Sequence, residues 1–191
     1  ISTAASPFSD AMAEKAMELI GENIRRFVAN RTDVEAAEAM MVGSLFAGIA
    51  FSFARLGNVH AMSHPVSAFF DVPHGVANAV LLPVVAEYNA LADHGRYYKI
   101  YNYISEIPAH EDEFEPMMLV DAIRSLCKAI GIPANLTEAI NQAGKTGSIS
   151  RKTIEEKIEA MAADAMKSGN IAVNPRSSRQ CDIEMLYRKA L

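Results

Sequence analysis

Apolar positions recur at three- and four-residue intervals along almost the whole chain, the period of an α-helix that buries one face. Ser6-Pro7 supplies an N-cap followed by proline at the first helical position. Met12, Ala16, Leu19, Ile20, Ile24 and Phe27 then mark one face to about Val28. Thr32-Asp33-Val34-Glu35 has the Thr-x-x-Glu form of a capping box and predicts a long helix to about Leu56, with Gly57 as its stop. The centre of that helix, Met40 to Phe51, is apolar on nearly all sides, which predicts burial at the middle of a bundle. Its Gly43, Ser44, Ala47 and Gly48 are small enough to let a neighbouring helix approach closely.

A helix is predicted from about Val59 to Ala68, weakened at Pro65, and Phe69 to Pro73 reads as a turn in which Asp71 caps the next helix. That helix starts near His74, meets Pro83 and continues toward Leu91. Further helices are predicted over Arg96–Ile104, Met117–Ile130, Ile132-Pro133 to about Gln142, Ser150–Met166 and Ile183–Ala190. Residues 105–116 form an acidic loop bounded by proline, and residues 143–148 a flexible turn. The Gly-Lys-Thr in that turn lacks the earlier glycine and the preceding strand of a phosphate loop. No strand-like alternation, internal repeat or low-complexity run occurs. The prediction is an all-α multi-helix bundle of roughly eight or nine helices, one domain over residues 1–191.

Composition narrows the function classes. With 191 residues, 50% of them hydrophobic, the chain can bury a core of its own. A net charge of -5 argues against a nucleic-acid surface, so Tyr97, Tyr98, Tyr101 and Tyr103 beside Arg96 and Lys99 read as packing rather than base stacking, and no nucleic-acid partner is expected. Cys127 and Cys181, without close spacing, read as free thiols of a reducing compartment, with Cys127 an inert thiol among apolar positions. The absence of an uninterrupted apolar run of about 18 residues predicts no membrane partner and a cytoplasmic location.

The chemistry concentrates in residues 57–75, which hold three of the five histidines. On a helix, His60 and His64 share a face one turn apart, and His74 opens the next helix where the chain can fold it back toward His60. Three imidazoles suit zinc, iron, copper or nickel. A polar patch or a packed histidine pair fits the same spacing, and spacing leaves both readings open. His110 among its carboxylates reads as a solvated surface.

The run His60-Ala-Met-Ser-His64-Pro65, followed by Pro73-His-Gly-Val-Ala-Asn-Ala-Val-Leu-Leu-Pro83, resembles the signature of the iron-containing, group III alcohol dehydrogenases. The resemblance extends from Ser9–Ala16 to Asn174-Pro175-Arg176. It implies a two-domain, dehydroquinate synthase-like enzyme, with a Rossmann-like nucleotide-binding half and a C-terminal all-helical half, and a metal in the cleft between them. In that family one aspartate and three histidines hold the metal. His60 and His74 match the second and third of those histidines, and His64 matches the histidine facing substrate and nicotinamide, as proton relay or as positioning residue. This corrects the His60–His64 pairing that spacing suggests. Phe51 matches an aromatic bordering the substrate pocket.

The same resemblance places the aspartate, the first histidine and the glycine-rich cofactor loop before Ile1, so cofactor-binding residues within this chain are unknown and the chain is expected to be the C-terminal half of a longer protein. It implies reversible oxidation of primary alcohols or diols to aldehydes with NAD or NADP, a divalent cation (Fe2+, with Zn2+ as competitor) acting as Lewis acid, and a homo-oligomer. Alone, the chain is expected to be inactive. The competing readings are a fragment that binds metal weakly through two histidines, and a helical interaction or structural domain with incidental ones.

Overall fold

The computed structural model describes residues 1–144 and 148–191, so part of the turn predicted over 143–148 lies outside the described residues. Ten α-helices and no strand are found among the described residues: α1 (Pro7–Ala29), α2 (Val34–Ala54), α3 (Asn58–Phe70), α4 (His74–Asn89), α5 (Arg96–Ile104), α6 (Pro116–Ala129), α7 (Leu136–Ala143), α8 (Arg151–Glu155), α9 (Ile158–Met166) and α10 (Gln180–Ala190). The all-α expectation holds. They fall into two compact units, one built from residues 1–55 and 93–130, the other from residues 56–92 and 131–191.

In the first unit α1 packs along α2, and α5 against both α1 and α6. The Ser6 cap on α1 forms as predicted, its hydroxyl accepting from the Ser9 backbone N–H at 3.2 Å. The cap on α2 is Asp33 rather than Thr32: the Asp33 carboxylate accepts from Ala36 N–H at 3.0 Å, while the Thr32 hydroxyl donates to Asn30. A carboxylate is the better acceptor at a helix N-terminus, and Arg26 holds it in place at 3.0 Å.

The apolar centre of α2 is not buried all round, contrary to expectation. Only Ala36, Gly43 and Ala50 are buried, while Met41 and Leu45 are 75% and 62% exposed, because α2 packs chiefly along a single face against α1. Gly43 does what its size predicts, since a Cβ there would lie 2.8 Å from Ile20 Cγ1, whereas nothing lies within 4 Å of a Cβ at Gly48. Taken by average hydropathy rather than by uninterrupted runs, residues 34–54 and 74–92 are long and apolar enough to cross a membrane, a test that core helices also pass. That qualifies the expectation drawn from run length.

The second unit holds the larger core, in which Met62 and Val66 of α3, Leu81 and Val85 of α4, Ile140 of α7, Ile154 of α8, Met161 of α9 and Leu186 of α10 are all essentially inaccessible. Helices α3 and α4 run through Pro65 and Pro83, as burial of their apolar faces outweighs the hydrogen bond each proline omits. Asp71 is the C-cap of α3, left-handed at φ 56°, not the N-cap of α4, where Pro73 stands. Gly57 is the N-cap of α3 rather than the stop of α2, which ends at Ala54. The predicted helix 150–166 divides at Glu156-Lys157 into α8 and α9, and Ile154 and Ile158 on either side are both buried.

A polar knot ties α3 to the C-terminal segment. Asn174 Oδ1 accepts from Asn58 N–H at 3.2 Å and from Asn89 Nδ2 at 3.1 Å, and its Nδ2 donates to Asn89 Oδ1 at 2.8 Å and Arg176 O at 2.7 Å. A Cβ at Gly57 would sit 2.8 Å from the same Asn174 oxygen. Tyr187 adds a buried bond from its hydroxyl to Met62 O at 2.6 Å.

Three stability outcomes follow. Asn174→Ala leaves the Asn58 N–H and the Asn89 amide buried without partners and costs about 2–3 kcal/mol, readable as a lower urea midpoint. Gly21→Ala, whose Cβ would lie 2.0 Å from Tyr103 O, destabilises by at least about 1–3 kcal/mol. By contrast, Gly48→Ala in open space raises the melting temperature, worth roughly 0.5–1 kcal/mol.

Candidate metal centre

His60 sits two residues into α3, just after the buried Asn58, and His64 one turn further along. The inner face of α3 is spent on Ala61, Met62, Ser63, Pro65 and Val66, all buried, which leaves the histidines on the outer side. The left-handed Asp71 reverses the chain between α3 and α4 and places His74 at the first position of α4. All three rings meet: centroids are 5.2 Å apart for His60 and His74, 5.1 Å for His64 and His74, and 6.4 Å for His60 and His64.

The pairs are not equivalent. His64 stacks on His74 with only 20° between ring planes. Ring-nitrogen lone pairs lie in the ring plane, so two nearly parallel rings do not aim at a common point. His60 and His74, tilted by 60°, do aim at one: the Nε2 atoms of both lie 3.1 Å from Asn78 Nδ2.

Hydrogen bonding determines where the protons are. The buried Ser63 hydroxyl donates to His60 O at 3.1 Å, and so can only accept from His74 Nδ1, 3.4 Å away. His74 therefore carries its proton on Nδ1 and presents a bare Nε2. An amide nitrogen has only protons to give, and Asn78 gives one to each Nε2. Burial, then the neighbouring charges of His74 and His64, pushes the His60 pKa down to about 4, so this ring is neutral at physiological pH. Asn78 Oδ1 is left buried without a partner, a deficit of about 1–3 kcal/mol.

Two neutral imidazoles with lone pairs converging on one polar atom are a fitting part of a divalent-cation site, where imidazole nitrogen stands ~2.0–2.1 Å from zinc. They are not a whole one. Among the described residues, no group of three His, Cys, Asp or Glu side chains could hold an ion by itself. Phe51 belongs to the other unit, on α2, and is about half exposed. His94 and His110 stand apart from the cluster in sequence and in unit. Cys127 is part-buried, and burial raises its pKa, which keeps the thiol protonated and unreactive.

Sequence reasoning missed Asn78 and Ser63. Both carried a readable signal, since Asn78 is four residues after His74 and Ser63 three after His60, the spacings that share a helix face.

Comparison with known proteins identifies the family. The Fe-containing alcohol dehydrogenase family, C-terminal, matches residues 1–191. The chain is 38% identical over 194 residues to a 1,3-propanediol dehydrogenase of Citrobacter freundii, covering 100% of this chain and 46% of that protein. A solved 1,3-propanediol oxidoreductase superposes with a TM-score of 0.86 at 37% identity, over 100% of this chain and 47% of that one. A sulfoacetaldehyde reductase from Bifidobacterium kashiwanohense, solved in complex with NAD+, superposes with a TM-score of 0.79 at 25% identity, over 99% and 45% of the two chains. The chain thus spans about half the length of the relatives it matches, which are alcohol dehydrogenases and related reductases. With its helical fold and a family match from the first residue to the last, the chain belongs to the iron-containing alcohol dehydrogenase family, as its C-terminal domain.

Proposed function

We propose that this chain is the metal-binding half of an NAD(P)-linked dehydrogenase that interconverts primary alcohols or diols and aldehydes. The convergence of the His60 and His74 Nε2 atoms on one point carries the reading. A divalent cation bound there would supply Lewis acidity to lower the pKa of a substrate alcohol toward neutrality. His60 and His74 would hold the cation through their Nε2 atoms, and Ser63 keeps the His74 proton on the far nitrogen. Exposed His64, stacked on His74, carries a proton between the pocket and solvent through its ring nitrogens. Iron is the metal in the family's name, and zinc competes for the same ligands.

The remaining length of such a protein supplies the other ligands and the nucleotide-binding half. An alcohol or aldehyde substrate, a homo-oligomeric state and a cytoplasmic location complete the proposal. The apolar side of α2, with Met41, Leu45 and Phe53 exposed, is a surface suited to packing on further protein.

The deciding experiment is metal titration of the full-length protein and of its His60→Ala and His74→Ala variants, together with NAD(P)-linked oxidation of 1,3-propanediol. Both variants are expected to lose at least about 100-fold in affinity along with the oxidation, whereas wild-type affinity in both variants would leave the histidines incidental and the domain structural. The isolated 191-residue chain, holding only part of the ligand set, binds far more weakly than the full-length protein; a tight one-to-one complex would contradict this. For His64→Asn we expect unchanged metal content, kcat lower by about 10- to 100-fold, and loss of one limb of the pH–rate profile.

A further inference from the structure

The metal reading leaves Asn78 unexplained. Its side-chain amide occupies the point on which two imidazoles converge, at 3.1 Å from each Nε2, and the opposite end of the same amide is buried with no partner. A side chain oriented for its own stability would not leave its carbonyl oxygen unsatisfied while both protons go to two ring nitrogens. The backbone gives it little choice: on α4, Asn78 is one turn after His74, and its short side chain reaches across to His60 of α3.

We propose that Asn78 is a positioning residue for metal uptake. Its NH2 group bridges His60 and His74 in the metal-free protein, keeps both rings converged with unprotonated Nε2 atoms, and yields that place to the incoming cation. This rests on the assignment of His60 and His74 as ligands and adds to it a residue that never has to touch the metal. An NH2 group suits the task because it has the two protons that two lone pairs require, and no lone pair of its own that would draw protons onto them. Without the bridge, the neutral His60 ring is free to carry its proton on Nε2 and to turn away, so its half of the site would have to be rebuilt each time a cation arrives. Ser63 enforces the same tautomer at His74 from the far side, so the two contacts act in one direction. The His60 ring has no such second contact among those found, and depends on Asn78 for its orientation more than His74 does.

The test uses the full-length protein, stripped of metal, with zinc as the probe. Long-range proton–nitrogen spectra of the histidine rings should show His60 and His74 protonated on Nδ1 and bare on Nε2. A protonated Nε2 on His60 or His74 in the metal-free wild type overturns the proposal without any variant. In Asn78→Ala the His60 ring should become a tautomer mixture, and zinc affinity should fall by about 10- to 100-fold, the range for residues that orient metal ligands. In Asn78→Asp, nearly the same shape but an acceptor only, the metal-free His60 ring should switch to protonated Nε2. Wild-type tautomers and wild-type zinc affinity in a folded Asn78→Ala protein also overturn the proposal. His60→Ala and His74→Ala separate the two failures. If they lose zinc while Asn78→Ala does not, only the role of Asn78 falls. If they bind zinc as tightly as wild type, the ligand assignment falls and takes this inference with it.

Discussion

The Asn174 side chain is the contact on which the histidine site depends. It is buried, and all its hydrogen-bonding capacity is used within one unit: the carbonyl accepts from the backbone at Asn58 and from Asn89, and the amide donates to Asn89 and Arg176. Asn58 opens α3 two residues before His60, and Asn89 closes α4, the helix that His74 begins. One side chain therefore positions the start of one histidine helix and the end of the other. Arg176 reinforces the arrangement by donating to Tyr88 O at 2.8 Å while its guanidinium lies over the Tyr88 ring. Buried networks of this kind tolerate little variation in geometry, because each broken bond leaves a desolvated group behind, as Asn58 Oδ1 already is.

With the two helices held, the chemistry of the site becomes a question of protons. Burial and mutual repulsion keep His60 neutral, Ser63 keeps the His74 proton on the outer nitrogen, and Asn78 meets both bare nitrogens at once. None of these groups is unusual by itself. Their effect comes from orientation, since an imidazole ligates only through an unprotonated nitrogen that faces the ion. His64, exposed and stacked on His74, is excluded from that convergence by the plane of its ring.

The unit containing α1, α2, α5 and α6 is built on a different principle. Close backbone approach, as at Gly21 against Tyr103 and Gly43 against Ile20, holds α1 to its neighbours, and much of the apolar surface of α2 stays open. Size rather than hydrogen bonding sets these contacts, and the two glycines have no side-chain substitute of equal volume.

Helical periodicity along the sequence was enough to establish an all-α chain, because the interval between apolar residues is a local property of the backbone period. The motif around His60, His64 and His74 likewise named the family, which matches over the whole chain. Its boundaries were less legible. Asp33 took the cap expected of Thr32, and Asp71 closed α3 instead of opening α4, since competing caps one residue apart are separated only by how the chain turns in space. Burial of α2 could not be read from its apolar composition either, as composition gives no count of the neighbours available to cover it. Tertiary structure alone decided how the ring nitrogens of His60 and His74 converge, and that Asn78 stands between them. Ring-plane angles and the direction of a carboxamide depend on side chains from two helices meeting, and no spacing along one chain encodes that.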